Sequence, residues 1–403
     1  MTSPSAVPRG RRFRITSLTI PASYVFIGAV ALALVGRHLG SFVTLDEIDF
    51  WLRRSEQFLA ALETGDFAAT ALSTHPGVTT MWLGSLGVLL RHGLAATGWL
   101  VDQPFPTMLA LMRLPVVLAH VLGILAGYGL LRRMLPAATA ALAAFLWVVD
   151  PFVIGYSRLL HVDALAGTFT TLCLLAACLY WHHNPRWRWL IFSGVCAGLA
   201  ILSKSPSLVL LPTIGLIAIT DAWRPPTTED RRWKIEDSDV SANKRRFTVF
   251  YTLSSKASSF VVGRSSLVAL LAWSAVVAIT IFALWPALWV DPVAAFQQIQ
   301  SGVEDEGAQP HMLGNFFMGR PDDAPGPLFY PVALALHLFP RTLAGLLLLL
   351  LAWRKAQPRN RRDLAALAGF VVAFVLALSL FPKKFDRYLV PVFPALNILA
   401  AFG

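Results

Sequence analysis

The segment TMLALMRLPVVLAHVLGILAGYGLL, Thr107–Leu131, decides the fold, because its 25 positions hold a single charged residue, Arg113. A helix of about 20 apolar residues crosses the hydrocarbon core of a bilayer, and this run is long enough to do so. The whole chain of 403 residues has the same character: 56% of its residues are hydrophobic and 14% are charged, whereas about 25% are charged in a soluble domain. The composition predicts a polytopic integral membrane protein and excludes soluble enzymes and nucleic-acid-binding modules.

Nine further apolar runs are predicted to cross the membrane, which gives about ten spans in one multi-pass domain over residues 1–403. In chain order they are Leu18–Val35, Pro136–Phe152, Ala164–Trp181, Trp187–Leu202, Ser207–Ile219, Leu267–Trp289, Leu328–Trp353, Leu364–Phe381 and Leu389–Gly403. Four arginines and no acid precede the first run, so the positive-inside rule places the N-terminus in the cytoplasm. We interpret Gly77–Leu100 as re-entrant or interfacial, because a full crossing there would move every later loop to the other side.

With this topology, the predicted outer and cytoplasmic connecting segments differ in charge. The predicted outer loops, residues 37–76 and 291–327, are rich in Asp and Glu, and the predicted cytoplasmic loop 223–264 holds nine basic and five acidic residues. We expect the loop 223–264 to be a flexible linker and the loop 37–76 to be the extracytoplasmic catalytic loop. The net charge of +11 follows from this topology, and no nucleic-acid partner is expected. The sequence stops within its last predicted span, as it would in a longer native chain.

Two adjacent carboxylates, Asp46 and Glu47, follow the first span on the outer side. Charged groups at a membrane boundary are costly and tend to mark function, and a carboxylate there could act as a general base toward a hydroxyl or amine acceptor. The alternative is a solvated helix start, with Thr44 as N-cap and the acids in the first turn, where the helix dipole favours them. Composition alone slightly favours this alternative.

Two other outer segments hold polar candidates with two interpretations each. The His-Pro-Gly turn displays His75, which could donate to a phosphate oxygen or be the polar tip of a loop. After the third span, Arg158 and Asp163 bracket a turn. They could form an ion pair that holds this turn, or they could belong to a site.

Basic residues on the predicted outer face break the positive-inside rule in two places. They are Lys204, between two spans, and Lys383, Lys384 and Arg387 in the segment PKKFDRY, residues 382–388. Cations at this depth could make charge-assisted hydrogen bonds to a phosphate. We therefore expect an anionic lipid headgroup at the outer leaflet.

No metal site and no certain cofactor is predicted. The glycines form no nucleotide-binding pattern and no His/Cys/Asp cluster has zinc spacing, while Cys173, Cys178 and Cys196 lie in apolar runs and are expected to be small core residues. The acidic outer loops could hold a divalent cation, although nothing in their pattern specifies one.

The order of these motifs resembles the protein O-mannosyltransferase family (glycosyltransferase family 39), which includes the lipid A aminoarabinose transferases. The resemblance rests on the Asp-Glu pair, the His-Pro, a Ser-Arg-x-x-x-x-Asp and a Lys-x-Pro, and on DDAPGPLFYP (322–331) and FDRYLVP (385–391). It extends from about Leu18 to the end of the chain. It implies an all-α polytopic membrane protein of the GT-C fold, with juxtamembrane helices in the first outer loop.

The resemblance also implies an inverting transfer of a sugar from a polyprenyl-phosphate donor to a protein, lipid or polysaccharide acceptor, on the extracytoplasmic face of the inner membrane. It makes Asp46 the base or acceptor-orienting carboxylate and Glu47 the residue that helps to orient it. The remaining candidates are assigned to the donor phosphate or substrate: His75, Arg158, Asp163, Lys204, Lys383 and Arg387. The sequence departs from the family at Gly77, where relatives have a second proline, and this leaves the substrate open.

A transporter or flippase of lipid-linked sugars is the alternative function, since it too would need many spans and outer cations. Transporters usually combine two related halves with polar groups near the midplane, whereas the polar residues here gather on one side. A structural protein of the envelope would leave Lys204 and Arg387 unexplained. We favour the enzyme, chiefly on the resemblance.

Overall fold

The computed structural model describes residues 16–99, 102, 104–223, 257–310 and 314–403. The four N-terminal arginines and most of the predicted linker loop 223–264 lie outside the described residues. Within them, the chain is helical except for connecting segments and one short hairpin.

The helices and strands occur in the following order. The α-helices are α1 Thr16–Gly36, α2 Leu52–Thr64, α3 Val78–Ala96, α4 Phe105–Met134, α5 Ala137–Val148, α6 Pro151–Ser157, α7 Val162–Cys178, α8 Trp187–Ser203, α9 Leu210–Ala222, α10 Ala257–Leu284, α11 Ala287–Val290, α12 Pro292–Ser301, α13 Phe329–His337, α14 Pro340–Ala352, α15 Pro358–Ser379 and α16 Phe393–Phe402. Glu47–Trp51, Leu179–His183 and Gly302–Gly307 are π-helical, and Phe67–Thr70, Ser205–Val209, Trp353–Lys355 and Asp386–Val392 are 3-10 helices. Strands β1 Asn315–Phe317 and β2 Arg320–Asp322 pair antiparallel.

Several of these helices have the length and composition of membrane spans. Five helical segments of the described residues qualify outright: Phe105–Met134, Val162–His183, Ser205–Ala222, Ser266–Leu284 and Pro358–Ser379. The number rises to seven if each of two bent helix pairs is one span. The shorter apolar helices Ala22–Gly36 and Trp187–Ser203 coincide with two further predicted spans. The chain is a multi-pass membrane protein, and the total of about ten spans stays a prediction.

Two of the predicted spans are broken helices. Helices α5 and α6 meet at 59°, and the pair Phe329–His337 and Pro340–Lys355 meets at 107°. A proline begins the second helix in both cases, because its missing N–H costs nothing in a first turn. Asp150 caps α6 by accepting hydrogen bonds from two backbone N–H groups. In the segment Gly77–Leu100, by contrast, the residues Val78–Ala96 form one unbroken helix, α3, and the re-entrant or interfacial position of this segment stays a prediction.

Helix α7 lies at the centre of the bundle. In an apolar 18-residue window of the span Val162–His183, 94% of the residues are buried inside the protein, compared with 22% in the corresponding window of Ser266–Leu284. Small residues let the neighbours approach it: a Cβ on Gly123 of α4 would lie 2.2 Å from Thr168, and one on Gly167 would lie 3.1 Å from Pro391. Asp163, in the first turn of α7, therefore belongs to the most deeply buried of the candidate spans among the described residues.

Candidate active site

Glu47 fastens the segment that follows α1 to the helix bundle. It is fully buried, and its carboxylate accepts hydrogen bonds from Arg113 at 2.7 and 2.6 Å and from the Leu160 N–H at 2.9 Å. It also accepts from the Thr44 N–H at 3.1 Å, which is the backward half of a capping box. Burial opposes ionisation, but these partners lower the pKa of Glu47 below its usual value. Glu47 is thus a positioning residue for its neighbour, Asp46.

Asp46 is half-buried and faces two basic side chains. Arg387 Nη1 donates to its Oδ2, and His161 Nε2 lies 3.3 Å from the same oxygen. The hydrogen bond with His161 is the largest cause, with the charge of Arg387 adding to it, that lowers the pKa of Asp46 to about 2 against the effect of burial. Asp46 is therefore ionised at physiological pH, and 24% of its side chain is exposed, which leaves it accessible to a molecule in the site.

Asp163 and Lys204 form the buried part of the same cluster. Lys204 Nζ donates to Asp163 Oδ1, and both residues are almost fully buried. His161 Nδ1 lies 3.1 Å from Asp163 Oδ2, so this imidazole stands between Asp46 and Asp163. Burial opposes its charged form, but the two carboxylates outweigh burial and raise the pKa of His161. Burial lowers the pKa of Lys204 to about 8, in spite of Asp163.

A cavity of about 260 Å³ adjoins Lys204. Its polar lining includes His75, Lys204, Lys383 and Tyr388, and its apolar wall includes Leu208, Val209, Phe374, Leu378 and Phe381. Lys204 Nζ lies 3.7 Å from the centroid of the Tyr388 ring, a cation–π contact that holds the ammonium group at the edge of this space. Basic side chains together with an apolar wall that includes residues of α15 suit an amphiphile with an anionic head.

The turn that carries His75 is bound to the residue before Lys204. The Gly77 N–H donates to the Ser203 carbonyl at 3.2 Å, and the Thr79 and Ser203 hydroxyls lie 2.7 Å apart. Gly77 has a φ of +58°, and a Cβ there would lie 2.4 Å from the Trp51 ring. Proline cannot adopt a positive φ. The structure therefore explains why glycine stands at Gly77, where the resemblance led us to expect a second proline.

Arg158 lies apart from the Asp46–Asp163 cluster. Its guanidinium is 5.8 Å from the centroid of the Phe42 ring, and its Nε and Nη2 have no hydrogen-bond partner. Burial and the nearby Arg113 charge lower its pKa. The ion pair with Asp163 that the sequence allowed is not formed, because Asp163 is paired with Lys204 and His161 instead.

The adjacent lysines Lys383 and Lys384 have different surroundings. Lys383 lines the cavity. Lys384 is buried and donates to the carbonyls of Leu378 and Ser379 at 3.2 and 2.9 Å, so it caps the C-terminus of α15, where free carbonyls favour a cation. This capping role accounts for a lysine at position 384 on the predicted outer face, so no bound phosphate is needed to explain it.

Two residues that matter here were not assigned from the sequence. His161 stands two positions before Asp163 in the segment already singled out, and this spacing beside a carboxylate is the signal that could have identified it. The partner of Arg113 could not be found from spacing, because Glu47 is 66 positions away.

Side chains of metal-binding type gather at the other end of α7. Cys178, His182 and Asp363 each place one ligand atom within 4.8 Å of the others. The sequence showed no zinc spacing because only two of the three residues are close in the chain: Cys178 and His182 are four residues apart on one helical face, and Asp363 comes from a distant span. That the protein has no metal site stays a prediction. In the active site, a divalent cation between Asp46 and Asp163 would have to displace His161 or Arg387.

Comparisons with known proteins bear out the fold and the resemblance. Residues 105–233 match the family model described as dolichyl-phosphate-mannose-protein mannosyltransferase. The chain aligns with ArnT from Cupriavidus metallidurans bound to undecaprenyl phosphate, at a TM-score of 0.56 and 19% identity, over 96% of this chain and 60% of that one. It aligns with the oligosaccharyltransferase AglB from Archaeoglobus fulgidus, in complex with an inhibitory peptide and a dolichol-phosphate, at a TM-score of 0.51 and 14% identity, over 97% of this chain and 50% of that one.

The chain thus spans half to three-fifths of the length of these solved proteins. No curated protein sequence matches it. The predicted all-α polytopic membrane protein of the GT-C fold is confirmed.

Proposed function

We propose that this protein is an integral membrane glycosyltransferase that moves a sugar from a polyprenyl-phosphate donor to an extracytoplasmic acceptor, with inversion at the anomeric carbon. The observation that carries the proposal is the cluster of Asp46, Asp163, Lys204 and Arg387 beside a cavity with an apolar wall. Support comes from ArnT, which has the same fold and whose structure contains undecaprenyl phosphate.

The donor phosphate would lie beside the basic residues of the cavity. Lys204, Lys383 and His75 are among the residues that line the cavity, and the two ammonium groups could make charge-assisted hydrogen bonds to phosphate oxygens. The polyprenyl chain would follow the apolar wall formed by Phe374, Leu378 and Phe381. The leaving group is the polyprenyl phosphate anion, which is stable without protonation. Its departure therefore needs electrostatic stabilisation by cations and no second carboxyl group as a general acid.

Asp46 would accept the proton of the acceptor. In the transfer step, the acceptor oxygen or nitrogen forms a bond to the anomeric carbon, the bond from this carbon to the phosphate oxygen breaks, and the acceptor proton goes to Asp46. Glycosidases that invert need a separate acid for the leaving group, whereas a phosphate leaving group removes that need. Asp46 is reachable, because 24% of its side chain is exposed.

Donor binding would make Asp46 a stronger base. Arg387 is shared between Asp46 and Asp163, with its Nε 4.0 Å from Asp163 Oδ2, so an arriving phosphate anion competes with Asp46 for this guanidinium. Loss of a cation raises the pKa of a carboxylate. Proton transfer to Asp46 would therefore become favourable only once the donor is in place.

Asp163 and His161 would hold the cations in their productive positions, and Glu47 would hold the loop that carries Asp46. Asp163 is fully buried, so it acts on substrate through Lys204 and Arg387. We place the site on the extracytoplasmic face of the inner membrane, because the outer loops of the predicted topology carry it. The acceptor is a hydroxyl or amine on a protein, lipid or polysaccharide.

A panel of radiolabelled polyprenyl-phosphate sugars, presented to purified full-length protein, tests this function. Wild type should release label from the lipid or pass it to an acceptor, and Asp46→Asn should not. Asp49→Asn is the matched control, because Asp49 is an exposed acid of the same helical segment and its loss should leave transfer unchanged. Label that stays on the lipid with wild type, while the lipid moves between leaflets, would establish the transporter instead.

A further inference from the structure

A buried cluster of polar side chains closes the end of α7 opposite the active site. Cys178 and His182 come from the C-terminal part of this span, and Asp363 comes from the first turns of α15. All three are buried. Asp163 and Cys178 are the two ends of a continuous helical rise of roughly 22 Å. The cluster is therefore separate from the cavity that would receive the donor.

Local helix geometry brings two consecutive histidines onto one carboxylate. His182 Nδ1 lies 2.7 Å from Asp363 Oδ1, and His183 Nε2 lies 2.6 Å from Asp363 Oδ2. Consecutive side chains of a regular α-helix point about 100° apart, since the repeat is 3.6 residues. The π-helical turn Leu179–His183 relaxes this repeat, and such turns occur frequently at functional sites.

We propose that Cys178, His182 and Asp363 bind a zinc ion. A thiolate, an imidazole and a carboxylate are the donor set of zinc sites in proteins, and the thiolate disfavours Mg²⁺ and Ca²⁺. His183 holds the second carboxylate oxygen of Asp363, which is the outer partner that orients a metal-binding carboxylate. Three protein ligands leave the fourth tetrahedral position for water.

The His182 and Asp363 ligand atoms need only a small adjustment to bind the metal, and the Cys178 sulfur lies within 4.8 Å of both. Bond lengths of about 2.0–2.1 Å to zinc put nitrogen and oxygen ligands roughly 3.3 Å apart on a tetrahedron. The distance of 2.7 Å between His182 Nδ1 and Asp363 Oδ1 is that of a hydrogen bond through a shared proton. Zinc displaces this proton and the thiol proton of Cys178, and the His182–Asp363 distance widens by a fraction of an ångström.

The competing explanation is that the histidines neutralise Asp363 and no metal is involved. A buried carboxylate requires partners, and two imidazoles supply them. Under that explanation the Cys178 thiol only adds a hydrogen bond to Asp363, and a serine hydroxyl would serve as well. The cysteine is therefore the residue that separates the two explanations.

A bound zinc would join α7 to α15, whose other end carries the cavity wall. Phe374 and Leu378 of α15 line the cavity, so the metal would fix the wall against the central helix. A ligand that binds only the folded state stabilises it by mass action. Thermal stability should therefore increase with free zinc.

Zinc content of the full-length protein, purified in detergent and freed of loosely bound metal, provides the test. Wild type should hold about one zinc per chain, and Co²⁺ in its place should give a thiolate-to-cobalt charge-transfer band. Cys178→Ser and His182→Asn should lose the metal, the band and the stabilisation by zinc. Cys173→Ser is the matched control, because Cys173 is a buried cysteine on the same helix whose neighbour is Ser193.

Equal metal content in wild type and Cys178→Ser would overturn the zinc site, and so would a cobalt spectrum without the thiolate band. The conservative serine keeps the size and the hydrogen-bonding capacity of the side chain, so folding of the variant is expected. Metal content does not depend on transfer activity. The zinc site and the proposed transferase function can therefore fail independently.

Discussion

Arg387 and Asp46 are hydrogen-bonded partners although 341 positions separate them in the sequence. The pair joins the segment that follows α1 to the segment before α16, the last described helix. Because His161 also lies beside Asp46 and Arg387 also lies beside Asp163, the cluster balances its charges before any substrate arrives. An anionic donor must therefore compete with Asp46 for contacts to Arg387. For this reason we expect Arg387 to affect the pKa of Asp46.

Arg387→Ala should raise the pKa of Asp46 from about 2, since a cation that stabilises the carboxylate is lost. The acid limb of the kcat/KM profile, where protonation of Asp46 stops transfer, should move to higher pH. Donor affinity should fall about tenfold or more, as expected for a lost charge-assisted contact. Arg387→Lys should recover part of the affinity, and Arg320→Ala, in the exposed hairpin, should change neither quantity. An acid limb unmoved in Arg387→Ala would remove the coupling.

Lys204 should make donor binding sensitive to alkaline pH. Burial lowers its pKa to about 8, so the ammonium that binds the phosphate is present below this pH and is lost as pH rises through it. Donor affinity should be constant near pH 6–7 and fall by up to about tenfold per unit above pH 8. Lys204→Arg should abolish this alkaline loss, because a guanidinium stays charged. Identical pH profiles of the two proteins, measured by binding of labelled donor, would contradict the assignment.

Glu47→Gln should destabilise the protein strongly. The change leaves Arg113, which is fully buried, without its compensating charge, and breaking one partner of a buried pair costs about 3–5 kcal/mol. The thermal midpoint in detergent reports the loss. The double variant Glu47→Gln, Arg113→Met should recover part of the stability, because no unpaired charge then remains. A double variant no more stable than the single one would show that the pair itself is not the cause.

Gly77→Ala should displace the turn that carries His75. A Cβ at this position would lie 2.4 Å from the Trp51 ring, on a backbone with a φ of +58°. The strain of such a residue is about 1–3 kcal/mol, and the clash adds to it. Gly65→Ala is matched for backbone conformation, with a φ of +74° and nothing within 4 Å of the added atom. Only Gly77→Ala should weaken donor binding, and equal effects of the two variants would mean that strain alone matters.

Neighbouring lysines should behave oppositely. Lys383→Met should weaken donor binding while leaving the thermal midpoint unchanged, since Lys383 lines the cavity. Lys384→Met should lower the midpoint, because two carbonyls at the end of α15 lose their donor, an effect of about 1 kcal/mol or more. Donor affinity and thermal melting of both variants check the contrast. A loss of affinity confined to Lys384→Met would reverse the two assignments.

The grouping of the charged site residues could largely be predicted from the alternation of membrane spans and from the charge of the loops. Hydrophobic runs determine how often the chain crosses, and alternation then places Asp46, Asp163, Lys204 and Arg387 on one face, where the structure brings them together. Their chemical roles are not decided by proximity alone. The resemblance to the mannosyltransferases, by contrast, could be recognised from the order of short motifs.

The parts that could not be predicted depend on contacts between distant segments. Lys384 resembled a phosphate ligand because a lysine on the predicted outer face breaks the positive-inside rule. Nothing in the sequence shows that its ammonium group donates to the C-terminal carbonyls of α15. The sharp bend before Pro340 could not be recognised in the sequence, because the helices on both sides of it are apolar and look like one continuous span. The Cys178–His182–Asp363 cluster was overlooked because Asp363 lies 181 positions from His182.

The nearly complete burial of α7 has a mechanical consequence. Its 22-residue span is a rod of roughly 33 Å, clamped along its length, with Asp163 at one tip and His182 at the other. Because closely packed neighbours surround it, this rod has little room to tilt or turn. A displacement of Asp163 or His182 would therefore have to be accommodated by the helices packed against α7.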